Sequence, residues 1–384
     1  MNFFSMGFLD EAITDLKSQG LFRSLRETES VQGPEIVLDG RKVLNFCSND
    51  YLGLAGDPRL AEAAAEAARR YGAGSGAARL ISGNNVLNDA FEAAVADLKG
   101  TPSVLLFNSG YHANIGAIPA LAGEVDVIFS DELNHASLID GCRLSKARTE
   151  VYRHNDLNQL EDLLRNFPPT PSLLRKGLGG GLIVTEAVFS MEGDVCPLDD
   201  LLELAQKYGA LVYLDEAHAV GVFGRDGEGL APKNPPENLI CMGTLGKAFG
   251  SYGAFVAGSA SLRDYLINKA RSFIFTTALP PPVTAASLAA VKIAAAEPER
   301  RKKLWDNIQS LGGNPSPIFS LPIGGAEKTM EVSRRLLELG LFVQGIRPPT
   351  VPEGTSRLRL TLSAAHTGEQ IATLREALKF VHRS

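Results

Sequence analysis

The sequence predicts an α/β fold: a mostly parallel central sheet with helices on both faces, a smaller α+β lobe at the C-terminal end, and a short helical segment at the start. Three observations lead to it. Short apolar, β-branched runs alternate with longer helical patterns, as in parallel sheets covered on both sides. At 384 residues the chain is too long for one small core. Beyond about residue 280 the alternation gives way to a different order of elements.

The strand candidates are SVLLFN (103–108), DVIFSD (126–131), GLIVTEAVFS (181–190), ALVYLDEA (210–217), NLICMGT (238–244) and GAFVAG (253–258). Helix candidates lie between them. NDAFEAAVADLKG closes on a glycine, DLNQLEDLLRNF follows, and PLDDLLELAQKYG has proline at its start and glycine at its end. Ahead of the sheet, EIVLDGRKVLNF reads as a hairpin turning at Asp39-Gly40. In the tail, a proline triplet leads into an alanine-rich helix, then SPIFSLPI, another helix, the strands GLFVQGI and RLRLTLS, and a last helix after His366. The domains expected are a helix-and-hairpin segment over 1–48, a large α/β domain over 49–281 and a small α+β domain over 282–384.

Composition narrows the function. A net charge of −6 without any lysine- or arginine-rich block argues against nucleic acid and membrane surfaces as partners. Cys47, Cys142, Cys196 and Cys241 form no CxxC pair, so they read as reduced thiols of a cytoplasmic protein and not as a zinc site. No metal is expected. The first residues, MNFFSMGFLDEAITDL, lack the basic start of a signal peptide.

Polar residues gather where predicted strands end. Ser109-Gly110-Tyr111 follows the first strand, His135 the second, Ser190 the third, Asp215 and His218 the fourth, and Thr244 and Lys247 the fifth. An open α/β sheet binds ligands at the carboxyl ends of its strands, so one sheet would bring all of these to one edge. The letters DEAH (215–218) and the pair Gly246-Lys247 match fragments of nucleotide-hydrolase motifs. A phosphate loop, however, requires GxxxxGK followed by Ser or Thr, and here the first glycine is Cys241 and the hydroxyl is Ala248. An aspartate and a lysine on neighbouring strand ends instead match pyridoxal phosphate chemistry. There the lysine bonds the cofactor aldehyde and the acid pairs with the pyridine nitrogen. Glycines around Lys247 let the chain pass close to a flat ring.

At this point a resemblance becomes specific. The stretches NFCSNDYLGL (45–54), GSGAARLISG (74–83), FNSGYHANIG (107–116), NHASLIDG (134–141), VFSMEGDVCPL (188–198), LDEAHAVGVFG (214–224), GTLGKAFGSYGAF (243–255), FTTALPP (275–281) and IRPPTVPEGTSRLRLTLSAAH (346–366) run along nearly the whole chain. In that order they resemble the α-oxoamine synthase family of fold-type I pyridoxal phosphate enzymes. The resemblance implies the cofactor pyridoxal 5'-phosphate (PLP), a homodimer, and condensation of an amino acid with an acyl-coenzyme A or acyl-carrier protein with loss of carbon dioxide.

The resemblance also implies roles. Lys247 would bond the cofactor and move the substrate proton, and Asp215 would pair with the pyridine nitrogen. His218 would bond the ring's phenolic oxygen with Ser190 nearby, and His135 would stack on the ring and meet the substrate. Gly110, Tyr111 and Thr244 would hold the phosphate. Asn49 and Arg359 would face the amino-acid carboxylate. Arg23 and Thr350 would line the acyl path, with Arg26, one helical turn from Arg23, as the competing candidate. Strand alternation puts Arg357 and Arg359 on opposite faces, so only one of them can face the site. The segment IRPPTVPEGTSRLRLTL favours the branch that joins L-alanine to a pimeloyl thioester. A relative using glycine and an acetyl donor (a glycine C-acetyltransferase) stays open, as does a non-catalytic relative acting as an interaction protein.

Overall fold

The computed structural model of the chain describes residues 6–123, 125, 127–167 and 181–381. Its strands, in chain order, are β1 (Glu35–Leu38), β2 (Arg41–Asn45), β3 (Ser103–Phe107), β4 (Val127–Asp131), β5 (Arg148–Tyr152), β6 (Leu182–Glu186), β7 (Leu211–Asp215), β8 (Leu239–Thr244), β9 (Ala254–Gly258), β10 (Ile318–Gly324), β11 (Leu341–Phe342), β12 (Gln344–Ile346) and β13 (Ser356–Thr361). Seven form the central sheet in the order β3-β9-β8-β7-β6-β4-β5. β9 is antiparallel to both its neighbours, and every other pair is parallel. Six strands therefore point the same way, and their carboxyl ends share one edge.

All six strands predicted for this sheet are present; of DVIFSD, Asp126 lies outside the described residues. β5 has no counterpart among the sequence expectations. Its residues RTEVY are mostly exposed, only Tyr152 being buried in the core. It therefore lacks the run of apolar residues that marks a strand buried on both faces. In β3, by contrast, Val104 and Leu106 pack on one face and Leu105 and Phe107 on the other. The first face is covered by the helices Val86–Lys99, Leu157–Asn166, Leu198–Tyr208 and Pro281–Ala296, the second by Gly110–Ala122, Ala136–Leu144 and Ala260–Lys269. Each fully buried leucine or phenylalanine here contributes about 1.5–3 kcal/mol of transfer free energy.

The helix ends follow local chemistry. Asn85 caps Val86–Lys99 by accepting from Leu87 N, and Gly100 closes it in the left-handed region at φ 64°. Gly209 closes Leu198–Tyr208 in the same way at φ 65°. The hairpin turns where expected: Leu38 faces Arg41, and Asp39 and Gly40 both have positive φ, 47° and 73°. Two small sheets complete the molecule, β10-β13-β12 and β1-β2-β11. In the second, β2 pairs parallel to β11, so the hairpin near the start is tied directly to the tail. No helix among the described residues is long and apolar enough to cross a membrane.

Candidate active site

The shared edge of the sheet positions the polar residues. Asp215 is the last residue of β7 and is buried. Its Oδ2 accepts from Asn114 Nδ2 at 2.9 Å and its Oδ1 from the Ala217 amide at 2.8 Å. Asn114 comes from the helix that follows β3, and its own oxygen accepts from Tyr213 OH at 3.0 Å. Fixed donors thus hold the Asp215 carboxylate as an acceptor. In the β6–β7 register Glu186 lies abreast of Asp215. It is buried, and its Oε1 accepts from the His135 amide at 2.6 Å. Burial, reinforced by Asp215 alongside, pushes the Glu186 carboxyl well above the usual carboxylate range.

Lys247 follows β8 by three residues and is partly buried. Its Nζ lies 2.9 Å from His218 Nε2, and His218 Nδ1 lies 2.7 Å from the Tyr51 hydroxyl. Burial pushes His218 well below its ordinary value, and the neighbouring Lys247 adds to this, so the ring is neutral. Burial also lowers Lys247 to about 8, against the pull of Asp215 and Glu186. The sign is that of a nucleophile: above about 8 the amine is free, and below it the ammonium cannot attack. Capture of PLP by the cofactor-free protein should therefore speed up with a midpoint near pH 8, against about 10.4 for an ordinary lysine. Stopped-flow absorbance across pH measures this.

Arg359, on β13, is buried. Its Nε donates to the Ser190 carbonyl at 2.5 Å and its Nη2 to Asn49 Oδ1 at 3.1 Å. Arg357 points the other way, to Glu192 Oε1 at 2.8 Å. Strand alternation thus separates the two arginines as expected, and Arg357 is already paired with a carboxylate. The turn that carries Ser190 is pinned by His154, which bridges Asp131 Oδ1 at 3.1 Å and Asp194 Oδ2 at 2.6 Å.

At the far side of the edge, Ser109 caps the helix Gly110–Ala122 by accepting from the His112 amide at 3.2 Å. The amides of Gly110 and Tyr111 open that helix, where backbone N–H groups have no acceptor within the helix. A Cβ placed on Gly110 would lie 4.0 Å from Thr244 Cβ, so the helix start and Thr244 are neighbours. Tyr111 is no core residue: it is 46% exposed, and its hydroxyl donates to Asp140 Oδ2 at 2.6 Å. His135 is exposed and caps the helix Ala136–Leu144, with its Nδ1 2.7 Å from Ser137 Oγ.

Arg23 and Thr350 lie elsewhere. They line a cleft of about 670 Å³ between the first segment and the tail, together with Arg26 and Arg347. No residue of the Lys247 cluster lines that cleft. The assumption that Arg23 and Arg26 share a helical face is wrong, because the first helix ends at Ser18. Arg26 is instead held by Asp39 at 2.7 Å, while Arg23, among the described residues, has only the Pro348 carbonyl, at 3.1 Å. That leaves Arg23 the freer of the two cations.

Several residues that shape the site escape sequence reasoning. Tyr51, Asn114, Glu186 and His154 each act across a large sequence separation, and nothing near them in sequence marks the partner. The DEAH letters also resolve physically. Glu216 is fully buried against Lys99 and its Oε1 accepts from the Ala231 amide at 2.9 Å, so it faces the interior and no ligand.

The sequence profile of the aminotransferase class I and II family matches residues 41–378. The chain belongs to this family. Within the family, an 8-amino-7-oxononanoate synthase from Geobacter sulfurreducens is 50% identical over 369 residues, covering 92% of each chain. Another, from Anaeromyxobacter dehalogenans, is 46% identical and covers 98% of this chain and 96% of its own. Among solved structures, a serine palmitoyltransferase variant from S. paucimobilis with a bound PLP–myriocin aldimine superposes with a TM-score of 0.88 at 30% identity, covering 99% of this chain and 98% of that one. An 8-amino-7-oxononanoate synthase from Francisella tularensis gives 0.74 at 31% identity, covering 89% and 98%. The fold is that of fold-type I PLP enzymes, and PLP is the cofactor of this class I and II family member.

The residues present fit that cofactor. Gly110 and Tyr111 stand at a helix start with Thr244 beside them, where amides and the helix dipole would favour a phosphate. Lys247 supplies an amine of lowered basicity whose hydrogen-bond partner is a neutral imidazole. Asp215 presents a carboxylate held by Asn114 and Ala217, suited to a protonated ring nitrogen.

Proposed function

We propose that the protein condenses L-alanine with pimeloyl-coenzyme A, or with the same acyl group on a carrier protein. The products are 8-amino-7-oxononanoate, carbon dioxide and free coenzyme A or carrier, a step of biotin synthesis. The observation that carries the reaction type is the meeting of three groups at one sheet edge: the Lys247 amine, the Asp215 carboxylate and the buried Arg359 guanidinium with Asn49. The choice of substrates is supported by relatives 46% and 50% identical over nearly all of the chain.

When bound, PLP supplies an electron sink for the pair released at the amino-acid Cα. The protein does the rest. Arg359 and Asn49 hold the carboxylate and so decide which Cα bond is presented for cleavage, an effect of positioning. Lys247 takes the Cα proton and later returns one. Asp215 would keep a proton on the pyridine nitrogen, and His218 with Ser190 would lie toward the phenolic oxygen. His135 would lie against the ring and limit water. Gly110, Tyr111 and Thr244 anchor the phosphate. Arg23 and Thr350, in their separate cleft, would meet only the part of the acyl thioester remote from Lys247. The protein works as a cytoplasmic homodimer, in line with the α-oxoamine synthase resemblance; light scattering on the purified protein tests the dimer.

The direct test is release of coenzyme A thiol from pimeloyl-coenzyme A. Thiol should appear with L-alanine and with no other small amino acid at comparable kcat/KM. Turnover with glycine and acetyl-coenzyme A in preference would replace this reading with a glycine acetyltransferase.

A further inference from the structure

The hydrogen bonds that run from Arg359 to Lys247 admit two directions, and one of them keeps every contact. A guanidinium has donors and no acceptor. Arg359 Nη2 therefore donates to Asn49 Oδ1 at 3.1 Å. That amide oxygen can only accept, and it lies 3.2 Å from the Tyr51 hydroxyl as one acceptor for its single hydrogen. With its hydrogen on Asn49, the Tyr51 oxygen accepts from His218 Nδ1 at 2.7 Å and Nδ1 carries the proton; with its hydrogen on Nδ1 instead, the contact to Asn49 is given up. In the first direction the other nitrogen of the neutral imidazole is bare. Nε2 accepts from Lys247 Nζ at 2.9 Å.

Tyr51 is built to hold this orientation. Its side chain is fully buried and its ring lies 6.0 Å from that of His218. Its backbone is fixed on both sides: Tyr51 N donates to Asn49 O, and Ala364 N donates to Tyr51 O, each at 2.8 Å. Asp50 beside it accepts from the Leu54 and Ala55 amides, which locks the following turn. Burial pushes the phenol up to about 12, so the hydroxyl keeps its hydrogen through the working pH range.

We propose that Tyr51 is a positioning residue that fixes the Nδ1–H tautomer of His218 and links the carboxylate clamp at Arg359 and Asn49 to the amine of Lys247. The proposal rests on the roles given above to Arg359 and Lys247. The reverse tautomer would need Tyr51 to donate to Nδ1 and abandon Asn49. Losing one such hydrogen bond biases the equilibrium about tenfold.

The test reads the tautomer on the cofactor-free protein, so it does not depend on which substrate the enzyme takes. Histidine is labelled with nitrogen-15, and the His218 resonances are assigned by their loss in His218→Gln. The wild-type spectrum should show Nδ1 protonated and Nε2 bare. In Tyr51→Phe, which keeps the ring, the ratio should move at least about tenfold toward Nε2–H, and the loaded variant should lose kcat about tenfold with an unchanged KM for the thioester. A wild-type His218 with Nε2 protonated overturns the proposal, even if the variant does not fold. So does a Tyr51→Phe protein with the wild-type ratio.

Discussion

Replacing Lys247 with alanine is expected to lower turnover by at least about 10³–10⁴-fold, because one change removes both the attachment point of the cofactor and the group that moves the Cα proton. The fold should survive. Lys247 is only partly buried, and its side-chain hydrogen bond among the described residues, to His218, has a net worth of about 0.5–1.5 kcal/mol. A melting temperature close to wild type, with no activity, is the expected pair of results. Lys247→Arg separates two explanations of the same loss. Arginine keeps a positive charge near the proposed phosphate site but cannot form an imine with an aldehyde at working pH. If Lys247 served only as a charge for the phosphate, the arginine variant would keep much of its activity; a covalent role leaves it as inactive as the alanine variant.

The second large effect is expected at Arg359. Its Nε and Nη2 are engaged by Ser190 and Asn49, which fixes the plane of the guanidinium. Removing a two-pronged, charge-assisted contact to a carboxylate costs about 3–6 kcal/mol, taking about 1.5–3 kcal/mol for each bond to a charged group. That corresponds to about 10²–10⁴-fold in kcat/KM for alanine. The KM for the acyl thioester should hardly move. Arg359→Lys keeps the charge and most of the volume but loses the fork, so it should fall between wild type and Arg359→Ala. Arg357→Ala is the internal control: that arginine already pairs with Glu192, so its loss should leave alanine kinetics near wild type. Steady-state kinetics with each substrate varied in turn separates these outcomes.

The large sheet is legible in the sequence because strands such as LIVTE and LVYLD are buried on both faces and so carry unbroken apolar runs. The edge strand RTEVY is not, since only one side of it meets the core. The arginine pair of β13 is legible through strand alternation alone. The choice between Arg23 and Arg26 is not, because it depends on where the first helix stops and on Asp39 being turned back by the hairpin to meet Arg26. The residues that orient the site are the least visible. Asn114 reaches Asp215 from a helix about a hundred positions earlier, and Tyr51 reaches His218 from a loop before the sheet begins. Such contacts are set by tertiary packing and leave no local pattern to read.

The most direct measurement is covalent. The PLP-loaded protein is reduced with borohydride and digested, and its peptides are weighed. The expected result is the mass of a reduced pyridoxyl phosphate on the peptide that contains Lys247 and on no other. An unmodified Lys247 peptide, or the same mass on a different lysine, would contradict the assignment on which every other role depends.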